Sequence, residues 1–127
     1  MAKQIVKTAD APSSTLYSQG VRAGDLLFVS GMVGTDTATG QLAGTTIQQQ
    51  TQQALRNCLA IVRAGGGTPD DVVHVNVLLA NPGDFAGMNE AYAQMFTTDP
   101  PTRAVSKLGV ELPGVLVSIA LTAHIAR

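Results

Sequence analysis

Few residues of this 127-residue chain could do chemistry, and one of them stands in an unusual place. Arg103 follows Pro100, Pro101 and Thr102 and opens an apolar, alternating run. A Glu-Leu-Pro-Gly turn comes after it, at residues 111–114. The residue before a proline avoids the helical region, so the approach is extended and the strand begins almost at the arginine. A guanidinium with a fixed origin offers a planar fork suited to bidentate binding of a carboxylate. Arginine is also rarely buried unless paired. Sequence physics alone leaves two roles open for Arg103, a solvated strand end or a receptor for an anion.

The other candidates read as structural. Cys58 recurs at helical spacing with Leu55 and Leu59, whereas a nucleophilic thiol needs an accessible, electropositive setting. As the only cysteine it excludes an internal disulfide and fits a reducing compartment. His74 and His124 lie far apart, with no Cys or carboxylate at ligand spacing, so no metal is expected. Gly65-Gly66-Gly67 follows a helix and lacks the Lys-Ser/Thr of a phosphate loop, which makes it a helix stop. The only glutamates are Glu90 and Glu111, so a paired-carboxylate site would have to draw on loop aspartates.

The elements that position these residues follow from the period of the apolar pattern. "KQIVK", "SQGVRAG" and "DLLFVSGMVG" read as three short strands, and "TDTATGQL" as a surface loop. From Thr45 the period becomes helical, with Ile47, Ala54, Leu55, Cys58, Leu59 and Val62 on one face. Gln48 to Gln50, Gln52, Gln53, Arg56 and Arg63 take the solvated face, and Thr45 or Thr46 caps the helix. "DDVVHVNVLLA" is a strand with Val73, Val75 and Val77 on one side. Asn81, Pro82 and Asp84 open a second helix with Phe85, Met88, Tyr92, Met95 and Phe96 as its apolar stripe. Strands at 103–109 and 115–124 are expected to form a hairpin through the turn at 111–114. The order is β-β-β-α-β-α-β-β, an α+β single domain over residues 1–127 with both helices on one face of a sheet.

Composition narrows the function classes. Charged residues make up 13% of the chain, against about 25% in ordinary soluble domains. Such a surface exposes apolar patches, which mark contact surfaces, so a homo-oligomer is expected. A net charge of −1 supplies no basic field for nucleic acid. "MAKQIVKTADAP" has no apolar signal region, and no apolar run approaches the ~20 residues that span a bilayer. The expectation is a cytoplasmic protein.

The terminal stretch "PPTRAVSKLGVELPGVLVSIALTA" resembles the C-terminal signature of the Rid proteins, the YjgF-type reactive intermediate deaminases. "APSSTLYSQGVRAGDLLFVSG" is similar to that family's first loop and the strand ending Ser-Gly, and "GDFAGMNEAYAQMF" to its second helix. The closing "TAHIAR" is similar to the branch linked to pyrimidine breakdown. The resemblance implies a fold like bacterial chorismate mutase, assembled as a homotrimer with ligand clefts between neighbouring subunits. It implies hydrolysis of small imine or enamine carboxylates such as 2-aminoacrylate to a ketoacid and ammonia, without metal or cofactor. On this resemblance Arg103 grips the carboxylate, Tyr17 comes from the first loop, Ser30 and Gly31 close the strand, and Asn89 comes from the helix. Two positions depart from the family pattern. Val105 stands where a cysteine is frequent, and Ser118 stands where the deaminases carry a glutamate that positions the attacking water. Serine holds water by hydrogen bonds but is no base near neutral pH without a partner. The alternative expectation is therefore a non-catalytic binder of small carboxylates. A ribonuclease role, a label the family also bears, is disfavoured by the charge and by only two tyrosines and three phenylalanines.

Overall fold

Alternation along the strands sorts apolar side chains to one face of a single six-stranded sheet, and two helices cover that face. The computed structural model describes residues 2–126; Met1 and Arg127, the outer ends of the terminal stretches quoted above, lie outside them. The strands are β1 (Gln4–Val6), β2 (Gly20–Ala23), β3 (Leu26–Val33), β4 (Thr35–Asp36), β5 (Gln41–Leu42), β6 (Val72–Leu79), β7 (Thr102–Lys107) and β8 (Val117–His124). The helices are α1 (Ile47–Ala64) and α2 (Phe85–Met95). The sheet order is β1-β2-β3-β8-β6-β7, antiparallel throughout except for the parallel pair β6 and β7. The α+β class and the two helices on one face are as the sequence predicts. Among the described residues no helix is long and apolar enough to cross a membrane.

One expected pairing is corrected. β7 and β8 do not form a hairpin, because β6 lies between them. The β6-α2-β7 crossover returns β7 parallel to β6 on the sheet edge, the connection that a helix between parallel strands provides. Residues 108–116 then span two strand spacings, about 10 Å, to deliver β8 to the other side of β6. Both ends of that loop are tied to the end of β6, where Leu108 N–H donates to Leu79 O at 2.8 Å and Ala80 N–H to Leu116 O at 3.0 Å. Two smaller corrections follow from local irregularity. The stretch read as a surface loop contains the short β4–β5 pair. A register shift between Val72 and His74 turns Val73 outward and gives its core position to Val72.

Thr46 caps α1 with a capping box, accepting from Gln49 N–H while the Gln49 side chain accepts from Thr46 N–H. Such a cap contributes about 1 kcal/mol. The helix buries Leu55, Cys58, Ile61 and Val62 against Val75, Val77, Val117 and Ile119 of the sheet. Gln50, which the period places on the solvated face, is buried instead. Its Nε2 donates to Gly44 O and Gly114 O, and its Oε1 accepts from Leu116 N–H. Asn57 is buried too and donates to Val33 O and Thr35 O. Both amides satisfy backbone groups where the chain leaves regular pairing, a requirement that outweighs their polarity. Arg22 is buried on the same logic, its guanidinium donating to the carbonyls of Gly24, Gly65 and Ile125.

Cys58 lies fully inside this core, as its spacing predicts, with Sγ 3.2 Å from Ile119 O. Burial pushes the thiol up to about 12. The neutral form is thus favoured by folding, and its contribution is complete below the unfolded value near 9 and lost as pH rises toward 12. Wild type is expected to lose guanidinium midpoint across that window more steeply than Cys58→Ala. Alkylation of the native thiol at pH 8 should be slow until the protein is denatured; rapid native labelling would refute this placement.

Candidate functional site

The residues singled out by sequence gather in two groups rather than one. The first sits on the uncovered face of the sheet, where β3 meets β8. Val29 pairs with Leu121 and Met32 with Ile119, so Ser30 and Gly31 together oppose the single residue Ala120. This two-against-one bulge interrupts the alternation and re-aims the strand end, as bulges do beside sites. Ser30 Oγ donates to Ser18 O at 2.5 Å, and its N–H to Gln19 O at 2.9 Å, so the bulge is stitched to the first loop. A Cβ at Gly31 would stand 3.2 Å from Ser118 Oγ, so glycine there keeps the serine hydroxyl open. Tyr17, Pro12, Ser30, Gly31, Met32, Val33, Leu112 and Ser118 line a cleft of about 430 Å³. No lining residue of this cleft carries a carboxylate or an imidazole. Glu111 precedes Leu112 but is exposed and lines the neighbouring cleft around residues 107–115 instead.

The second group lies at β7 against α2. Phe85, Asn89 and Tyr92 recur at i, i+4 and i+7 and so share one helix face. Arg103 lands on that face. Its NH1 donates to Asn89 Oδ1 at 2.7 Å, and its guanidinium carbon lies 4.8 Å from the Tyr92 ring centroid and 5.7 Å from that of Phe85. Aromatic faces attract a cation at such distances. The half-buried guanidinium is thus held by one neutral amide and two rings, none of which is a carboxylate. Burial pushes the Tyr92 phenol up, with the Arg103 charge opposing it. Val105, two residues on, lines an apolar cleft of about 280 Å³ with Leu79, Pro82, Phe85, Ser106 and Lys107.

Within one chain these groups face opposite ways. Arg103 is in register with the buried Val75, hence on the helix face, while Ser118 pairs with Leu78 and Val33 on the uncovered face. They are separated by two strand spacings, with β6 between, and by three residues of register, roughly 10 Å in each direction. The structure therefore joins Tyr17, Ser30, Gly31 and Ser118 and, separately, Arg103, Asn89 and Val105. Sequence reasoning read Phe85 and Tyr92 only as an apolar stripe; their spacing around Asn89 was the available signal for a seat under Arg103. The bulge left no such signal. His74, weighed as a ligand, is instead hydrogen-bonded through Nδ1 to Thr102 Oγ1 at 2.7 Å.

The family model described as Endoribonuclease L-PSP matches residues 8–125. A RutC family protein of Pyrococcus horikoshii is 37% identical over 123 residues, covering 96% of this chain and 98% of that one. A human 2-iminobutanoate/2-iminopropanoate deaminase is 33% identical over 124 residues, covering 97% and 90%. Among solved structures, E. coli TdcF with bound serine superposes with a TM-score of 0.90 at 31% identity, covering 97% of this chain and 99% of that one. The β3 end with its Ser-Gly step and the arginine opening β7 thus stand in a chain that matches this family from the first loop to the last strand, and the protein is a member of the Rid (endoribonuclease L-PSP) family.

Proposed function

We propose that the protein is a RidA-like hydrolase that deaminates small reactive imine or enamine carboxylates, with Arg103 as the carboxylate receptor. The observation that carries this reading is the guanidinium of Arg103, oriented by Asn89 and two aromatic faces yet without a carboxylate among those partners. A fork positioned in this way retains donors for an incoming anion. The human relative is named as an imino-acid deaminase, and TdcF holds serine, an amino acid with a carboxylate. In the reaction, an enamine first tautomerises to its imine. Water then adds its oxygen to the C=N carbon and a proton to the nitrogen, and the carbinolamine expels ammonia as its hydroxyl proton passes to nitrogen and the ketoacid carbonyl forms. Tyr17, Ser30, the Gly31 backbone and Ser118 supply hydrogen bonds for the water.

Because the two groups face apart in one chain, the complete site in this reading forms between copies. The uncovered sheet face supports that: Ile5, Leu26 and Phe28 leave it 45%, 39% and 47% exposed. Apolar strands of this kind seek a partner, and cyclic closure consumes such surfaces without leaving a free edge. The assembly proposed is a homotrimer. A second reading, a non-catalytic carboxylate binder, rests on a specific observation, the absence of any base among the residues lining the Ser118 cleft. The endoribonuclease name of the family model is not carried over, since a net charge of −1 provides no attraction for an RNA backbone.

Release of ammonia and ketoacid from freshly generated 2-aminoacrylate tests the proposal directly, and no release above a buffer blank gives the binder reading the lead. Arg103→Ala is expected to weaken ketoacid binding by about 1.5–3 kcal/mol, with Arg103→Lys recovering only part of it. Calorimetry with unchanged affinity in both variants would reduce Arg103 to a surface residue. Ser118→Glu, which restores an acid–base group to the cleft, should raise turnover ~10-fold or more while carboxylate affinity holds or falls. Equal or slower turnover would place water activation elsewhere, with Glu111→Gln the next variant. Sedimentation at micromolar concentration should give a trimer, and a clean monomer would sink the shared cleft.

A further inference from the structure

The loop that carries Tyr17 has no regular secondary structure between β1 and β2, yet it contributes a wall of the cleft. One side chain organises it. Gln19 is 4% exposed, and its amide spans the mouth of the loop. Oε1 accepts from Thr8 N–H at 2.8 Å, and Nε2 donates to Thr8 O at 3.1 Å, Ala11 O at 2.9 Å and Pro12 O at 2.9 Å. The Thr8 N–H fixes which end of the amide is oxygen, because the flipped amide would set donor against donor. Two hydrogens serve three carbonyls, so one is shared. The pair of bonds to Thr8 stands in for a strand partner where the chain has none.

Gln19 also sits two residues from Tyr17 and is bonded through its own carbonyl to Ser30 N–H at 2.9 Å, next to the Ser18 carbonyl that receives Ser30 Oγ. Its backbone therefore holds the bulge, and its side chain holds the loop. Ala11 also anchors the segment, buried in the core, and beyond it the side-chain contacts are few: Asp10 N–H donates to Thr8 Oγ1 and Leu16 N–H to Ser14 Oγ, both exposed. Leu16 itself is 90% exposed and anchors nothing within the chain.

We infer that Gln19 is a positioning residue, which fixes Tyr17 relative to Ser30 and Ser118 through the amide lock on Thr8, Ala11 and Pro12. The inference rests on the proposed function for its kinetic consequence but not for its structural one. Without the amide, four backbone groups lose their partner, the loop loosens, and Tyr17 no longer holds one place at the cleft. Arg103, on the other face of the sheet, is untouched.

The test separates the two levels. The chain has no tryptophan, so Tyr17→Trp gives a single fluorescent reporter at the loop. Gln19→Met in that background keeps the volume and removes the amide, and Gln19→Glu keeps the acceptor for Thr8 N–H and removes the donors. Both are expected to lower the anisotropy of the indole reporter and to speed exchange of the Thr8 amide, while circular dichroism stays native. In proteins with Tyr17 intact, Gln19→Met should lower kcat for imine hydrolysis ~10-fold or more, the scale of a misplaced catalytic group. Ketoacid affinity should change less than about 2-fold, since the carboxylate grip depends on another group. Unchanged reporter anisotropy in both variants, or an unprotected Thr8 amide in wild type, would overturn the inference. So would collapse of the native fold in both, which would make Gln19 a stability residue. If wild type hydrolyses no imine, the proposed function fails alone, and the anisotropy and exchange arms still decide the role of Gln19.

Discussion

The constraint on which this structure depends is that its sheet has helices on one side only. Val75, Val77, Val117 and Ile119 face α1 and α2, and with period-two alternation their neighbours must face the other way. Every residue placed in a strand is thereby assigned to a covered or an uncovered side. Ser118 goes to the uncovered side and Arg103 to the covered one, and no rotamer change moves either across the sheet. A chemistry that needs both must draw them from separate copies of the chain. The low charge fraction then has a physical meaning: the uncovered face carries Phe28, Leu26 and Ile5 in place of the lysines and glutamates that would keep it solvated.

The same economy of charge explains how irregular backbone is satisfied. Where β3 ends, where residues 112–116 enter β8 and where α1 stops, carbonyls and N–H groups lack strand partners. Asn57, Gln50 and Arg22 fill those roles from buried positions. An uncompensated buried polar group costs about 1–3 kcal/mol, so each of these side chains is bound to its place by several such groups at once. Arg22 and Arg103 show the contrast. The first has its guanidinium taken up by three carbonyls and the second by one amide and two rings. Only the second has no backbone carbonyl among those partners.

Much of the fold was legible because it is written in periods. The helical run from Ile47, the strand alternation and a cap at Thr45 or Thr46 are local signals, and they placed the two helices and the six strands of the main sheet, though not the short β4–β5 pair. Strand neighbours are not local. The turn at 111–114 suggested a hairpin, and nothing in the residues of β7 and β8 announces that β6 stands between them. Buried amides escape the same way, since Gln50 looks like its neighbours Gln49 and Gln52 until the loop at Gly114 is known. For the candidate site, the prolines marked Arg103 but left its role open, and the resemblance spanning the chain is what proposed one. The Ser30–Gly31 bulge and the division between two faces were not, because both are properties of register rather than of residue type.

The division of the site bears on what Ser118 can mean. On the proposed reading, a carboxylate at that position would both orient water and handle its proton. General acid–base help is worth about 10²–10⁴-fold, or roughly 3–5 kcal/mol. Proximity and orientation can supply about 7–11 kcal/mol of a barrier by themselves. In that reading the larger of these effects would depend on Arg103, seated on α2, and on the wall of Tyr17, Ser30 and Gly31. An imine carbon is already electrophilic and its nitrogen basic, so water held against it has a proton acceptor in the substrate. In the proposed deaminase reading, serine in place of a glutamate would remove the smaller contribution and leave the larger to depend on how rigidly two copies hold their halves together. A deaminase built this way would owe its rate less to a carboxylate at position 118 than to the order of the first loop and of the contact between copies.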